Sequence, residues 1–173
     1  MTKILILAAT LLLGACGATG VDQYTKTQPA LDLREFFDGE LIAYGMLQNR
    51  GGRMTRRFTA TLQGSWQGDT GTLVEHFVFD DGEEQDRTWT LQHLGGGRYT
   101  GTAGDVIGTA NGSTGGSVFR WNYQLDVPWR DGSIAVTLDD WLYLVDERHL
   151  LNKTAMTKFG FRVGELTLVI VKQ

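Results

Sequence analysis

One cysteine and two prolines stand in 173 residues, and both scarcities exclude something. A single thiol cannot form an internal disulfide, so the fold rests on burial and backbone hydrogen bonds. The chain also lacks an apolar run of the roughly 20 residues needed to cross a bilayer as a helix. The longest such run, residues 4–13, is half that length and follows Lys3. Basic runs interleaved with aromatics are missing too, and the formal net charge is −4, so no nucleic-acid partner is expected. Long stretches of helical period are equally absent.

Missing catalytic and metal signatures narrow the field further. Ser65, Ser113, Ser117 and Ser133 are the only serines, and none stands in a Gly-x-Ser-x-Gly elbow. His76, His93 and His149 are scattered without the i, i+2 or i, i+4 spacing of a metal site. Asp80, Asp81, Glu83, Glu84 and Asp86 crowd one short segment but lack the alternating offsets and closing Glu of a calcium loop, which makes a solvated hairpin tip the simpler reading. Residues 104–116 are glycine-rich without the Lys-Ser/Thr of a phosphate loop. No catalytic residue, metal or cofactor is expected, and the chain reads as a protein without enzymatic activity.

What is present begins at the N-terminus. Met1-Thr2-Lys3, the apolar run and Leu13-Gly14-Ala15-Cys16 have the order of a lipoprotein export signal, with cleavage before Cys16 and acylation of its thiol. Residues 1–15 are then the signal peptide, residues 16–30 an acylated tether ending near Pro29, and residues 31–173 a single β-barrel domain. Gly17 after the modified cysteine, in place of the retention Asp, points to the periplasmic face of the outer membrane.

Beyond residue 31 the apolar period is two. Residues 31–37 suggest a short helical turn presenting Leu33, Phe36 and Phe37. Residues 54–66 then alternate with Phe58, Ala60, Leu62 and Trp66 on one face. In residues 85–94, Arg87, Trp89, Leu91 and His93 share a face, and the Asp81-Gly82 before them is a hairpin signal. Phe119, Trp121, Tyr123, Leu125 and Val127 alternate with Arg120, Asn122, Gln124 and Asp126. Further strands are expected at 39–48, 72–80, 98–103, 106–110, 134–138, 141–146 and 165–172, with a loop at 111–116, a kink at Asp139-Asp140 and a loop or helical turn in 147–160. The 23 glycines fit frequent turns between short strands. Nine or ten strands joinable by hairpins close most economically into an all-β, antiparallel, up-and-down barrel.

The segments 77–83, 87–89, 104–110, 121–123, 139–143 and 158–160 resemble those of a bacterial lipoprotein family catalogued as domain of unknown function 3833. The resemblance spans the body of the chain and implies a lipocalin-like barrel. Family members are encoded near enzymes that modify membrane fatty acids, which implies a place in envelope lipid maintenance. The family supplies no catalytic residue to carry over.

Candidate ligand-binding residues follow from the aromatic faces and the isolated charges: Trp66, Trp89, Trp121, Tyr123 and Trp141, with Arg87, Arg120, Asp139 and Asp140. Adjacent strand residues point to opposite faces, so one of Asp139 and Asp140 points inward. It then needs a partner such as Arg87 or Arg120. The leading reading is a membrane-tethered barrel that binds an apolar, lipid or fatty-acid-like molecule. The alternative is a scaffolding lipoprotein with a filled core, docking an envelope protein through Arg53, Arg56 and Arg57. Catalysis by Asp139 or Asp140 ranks behind both.

Overall fold

The computed structural model describes residues 20–173; the expected signal peptide and Cys16 lie outside them. Ten strands follow one another: β1 (Gly39–Asn49), β2 (Met54–Gln67), β3 (Thr70–Phe79), β4 (Glu84–His93), β5 (Arg98–Thr102), β6 (Val106–Gly115), β7 (Val118–Trp129), β8 (Gly132–Leu144), β9 (His149–Lys158) and β10 (Phe161–Lys172). Each pairs antiparallel with its chain neighbours, and β1 pairs with β10 to close the barrel. Closure leaves no unpaired edge. This is an up-and-down, lipocalin-like barrel, as the alternation predicts.

The interior is built from the period-two faces. Leu41 and Ala43 of β1, Phe58, Ala60 and Leu62 of β2, Trp89 and Leu91 of β4, Phe119, Trp121, Tyr123 and Leu125 of β7 and Val136 and Leu138 of β8 are all buried. Gly101 and Gly112 on β5 and β6 make room for the Trp121 indole. A Cβ on Gly112 would lie 2.3 Å from its ring and one on Gly101 2.9 Å.

Three segments depart from the sequence reading. Strand β8 runs unbroken through Asp139-Asp140, held on both sides by β7 and β9. Strand β6 extends to Gly115 where a loop was expected, because residues 111–115 continue the antiparallel pairing with β7. The region 147–160 holds a full strand, β9, whose inward face reads Leu150, Asn152, Thr154. Two polar residues on that face hide the hydrophobic alternation.

One end of the barrel is plugged by α1 (Leu33–Phe36). Asp32 caps it by accepting the Arg34 backbone N–H at 2.9 Å, and the Arg34 guanidinium folds back onto the same carboxylate at 2.7 Å. Leu33, Phe36 and the following Phe37 are buried, each contributing about 1.5–3 kcal/mol of hydrophobic stabilisation. The plug sits so close to β2 that a Cβ on Gly64 would lie 1.7 Å from the Phe37 carbonyl oxygen. The segment expected as a tether is partly pinned. A 3-10 helix at Val21–Tyr24 packs on β6 and β7, Thr27 shares a 2.8 Å hydrogen bond with Ser117, and the Leu31 N–H bonds the Gly116 carbonyl at 2.8 Å.

Candidate functional site

Between α1 and the far end, the barrel interior holds a partly open cavity of about 130 Å³. Its walls are mostly apolar: Leu33 and Phe37 from the plug region, Leu73 and Phe77 of β3, Trp89, Trp121, and Leu166, Leu168 and Ile170 of β10. Into this chamber project Glu75, Arg87, Tyr123, Asp140 and Asn152. Each occupies the inward register of its strand, so the alternation that builds the core also delivers the charges.

Arg87 is the one cation of this group. Its guanidinium donates to both oxygens of Asp105 in the β5–β6 turn, at 2.6–3.1 Å, and reaches Glu75 only at 3.8 Å. Burial works against its charge, but the Asp105 hydrogen bonds and Glu75 more than offset that and keep it protonated. Asp140 accepts the Tyr123 hydroxyl at 3.0 Å. Thr154, paired across from Asp140, has a single hydroxyl proton and gives it to Asn152 at 3.2 Å. Glu75 Oε2 and Asp140 Oδ1 are left buried without a hydrogen-bond partner among the described residues.

That incompleteness sets their acidity. Burial pushes the Glu75 carboxyl up to about 7, against the pull of Arg87 and of the Trp89 indole. Burial likewise raises Asp140 to about 6, partly countered by the Tyr123 hydroxyl. The Tyr123 phenol is driven far above its ordinary range by burial and by Asp140. The chamber therefore holds two carboxyl groups that change protonation near neutrality inside apolar walls. Such groups can accept hydrogen bonds from a guest, balance a cation or carry a proton.

The sequence-derived candidates divide between the two faces of the sheet. Trp89, Arg87, Trp121, Tyr123 and Asp140 line the cavity, and Trp66 packs beside it, edge-on to Tyr99. Arg120, Asp139 and Trp141 do not face the interior. Arg120 donates to Asp139 at 2.7 and 2.8 Å on the outer surface and lies 4.9 Å over the Trp141 ring, which stacks with Tyr143. The inward carboxylate is Asp140, and its partner is a tyrosine hydroxyl rather than either arginine. Glu75 was missed because Val74-Glu75-His76 sits in a run whose two faces are both largely apolar, so the sequence could not orient it. Arg56 and Arg57 are not free for docking: Arg56 pairs with Asp81 and Glu83 and lies over Phe79, and Arg57 pairs with Asp80. Among the described residues no group of three or more His, Cys, Asp and Glu side chains is placed to hold a metal.

The model of the family described as a protein of unknown function, DUF3833, matches residues 10–172, and the chain belongs to that family. No curated protein matches it in sequence. Among solved structures it resembles the S-type phycobiliprotein lyase CPES from Guillardia theta. The TM-score is 0.60 at 8% identity, covering 83% of this chain and 93% of the other. At that identity the likeness establishes the fold. It also corrects the expectation of a protein without enzymatic activity, because the same architecture serves a lyase.

Proposed function

Starting from its place in the DUF3833 family, we propose that this barrel binds a small amphipathic molecule, apolar at one end and hydrogen-bond-donating or cationic at the other. The observation that carries the reading is the pair of unpartnered acceptors, Glu75 Oε2 and Asp140 Oδ1, on the wall of an otherwise apolar cavity. A buried acceptor without a donor costs about 1–3 kcal/mol, and a guest that supplies the donor recovers that cost. Two carboxylates oppose a fatty-acid headgroup, so the polar end of the guest is an amine, amide or hydroxyl.

Size constrains the guest as well. A cavity near 150 Å³ accommodates a benzene-sized molecule, and this one measures about 130 Å³. Leu33 and Phe37 of the plug region form part of the wall, so a larger guest either shifts the plug or extends out through the open side of the cavity. The resemblance to a phycobiliprotein lyase supports small-molecule handling inside this kind of barrel. The Leu13-Gly14-Ala15-Cys16 signal supports acylation at Cys16, which would place the barrel at the envelope membrane in a lipid-related role.

Three aromatic probes of one size separate the headgroups: benzylamine, benzyl alcohol and benzoate, compared by calorimetric titration. Benzylamine binds best above the Glu75 value of about 7, benzyl alcohol follows, and benzoate binds least. Glu75→Gln removes the preference for the amine. Equal or tighter binding of benzoate, or no binding of any of the three, overturns the reading.

A further inference from the structure

We infer that the end of the barrel opposite α1 docks on an anionic lipid bilayer through three adjacent hairpin tips, β1–β2, β9–β10 and β7–β8. This inference is independent of what occupies the interior. In the closed strand order β2, β1, β10, β9, β8, β7 these tips are consecutive. They present large apolar side chains to solvent: Phe159 is 88% exposed, Phe161 77% and Trp129 56%, with Met54 beside them on β2. The β9–β10 loop is the two residues Phe159-Gly160, both at positive φ. An aromatic in the left-handed region at a hairpin tip costs of order 1 kcal/mol or more, and at 88% exposure Phe159 buries little apolar surface to offset it.

The same three tips are basic. Arg50, Arg53, Arg130, Lys158 and Arg162 surround the aromatics, with Asp131 as the only acid between residues 49–54, 129–132 and 158–163. Lys158 lies 5.1 Å over the Phe159 ring and Arg130 6.0 Å over the Trp129 ring. Only Arg162 of the five enters an ion pair among the described residues, with Glu165. The other side of this end is different. Its β3–β4 tip carries Asp80, Asp81 and Glu83, held by Arg56 and Arg57. Exposed aromatics ringed by cations, four of the five without an ion-pair partner among the described residues, match an interface of apolar acyl chains beneath anionic headgroups. Each cation near such a surface contributes about 1 kcal/mol.

The described chain begins at the other end, against β6 and β7. Strands of about 10–13 residues at 3.3 Å rise and about 40° tilt make the barrel roughly 30 Å tall. The four residues 16–19 reach at most about 14 Å. An upright barrel anchored at Cys16 therefore turns its basic aromatic tips away from the anchoring leaflet, toward a second surface.

The test uses the full chain with vesicles of phosphatidylcholine alone and of phosphatidylcholine with phosphatidylglycerol, each doped with brominated lipid. Trp129 fluorescence is quenched by the phosphatidylglycerol vesicles, with affinity about tenfold or more above the neutral ones, and the quenching disappears in Trp129→Phe. Molar salt reverses it, since screening then acts within about 3 Å. Phe159→Ser with Phe161→Ser abolishes it, as does Arg53→Glu with Arg130→Glu, while near-ultraviolet circular dichroism keeps the native spectrum. Full chain that sediments equally with both vesicle types and leaves Trp129 unquenched is held by its N-terminus alone and overturns the inference. Quenching indifferent to salt or to both double variants overturns it as well.

Discussion

The two faces of the β7–β8 ladder carry the same kinds of side chain and end in opposite states. Outside, Arg120 and Asp139 form a two-bond ion pair, each with about a third of its side chain in water (32% and 31%). Inside, one residue along each strand, Trp121 stands opposite Asp140, which receives one hydrogen bond, from Tyr123, and is left with an unpartnered oxygen. The outer group is complete where completeness matters little, because water would satisfy either partner. The inner group is incomplete where a low dielectric makes every missing partner costly. Chemistry is to be sought on the inner face for that reason.

The strongest way to break the comparison is to remove the inner cation. Arg87→Met leaves Asp105 and Glu75 without their guanidinium and is expected to cost about 3–5 kcal/mol in urea denaturation at neutral pH. The loss shrinks in acid, where Glu75 is protonated in any case. A loss below about 1 kcal/mol would mean that the inner pair is no more demanding than a surface one.

The next effect has the opposite sign. An ordinary Glu titrates at 4.5, and Glu75 in the fold at about 7. Between those values the folded chain holds a proton that the unfolded chain has released, so stability falls as pH rises and levels off above about 7. Asp140 adds the same trend between 3.8 and about 6. Glu75→Gln is therefore expected to stabilise the protein by roughly 2–3 kcal/mol above pH 7, to change little near pH 4, and to flatten the pH profile. Asp140→Asn does the same over the lower window. A profile that rises with pH in the parent, or stays unchanged in Glu75→Gln, would show that burial does not hold a proton on this carboxyl near neutrality.

The barrel was legible because its alternation is clean where both faces differ in polarity. In β2 and β7 the inward row of Phe58, Ala60 and Leu62, or of Trp121, Tyr123 and Leu125, stands against Arg, Thr, Gln and Asn outside. Legibility failed where that contrast fails. Asn152 and Thr154 put polarity on the inward face of β9, and Val74 and Val78 put hydrophobicity on the outward face of β3, where both are exposed. The candidate site suffered for the same reason. Asp140 was found as half of a pair whose orientation only strand register could decide. Glu75 and Asp105 were invisible, because one lies in an ambiguous strand and the other in a turn that closes on Arg87 from 18 positions away.

The smallest expected effect sharpens the contrast from the outer side. Arg120→Met and Asp139→Asn are each expected to shift stability by less than about 1 kcal/mol, since an exposed pair gains little over hydration and loses side-chain freedom in forming. A double-mutant cycle on the two should give a coupling of about 0.2–1 kcal/mol that fades with added salt. Arg120 also covers the Trp141 ring, so its replacement should cost slightly more than that of Asp139, the excess surviving high salt as a packing term. A salt-insensitive coupling of several kcal/mol would place the outer pair in the same regime as Arg87 and Asp105. The distinction between a complete surface group and an incomplete buried one would then no longer locate the site.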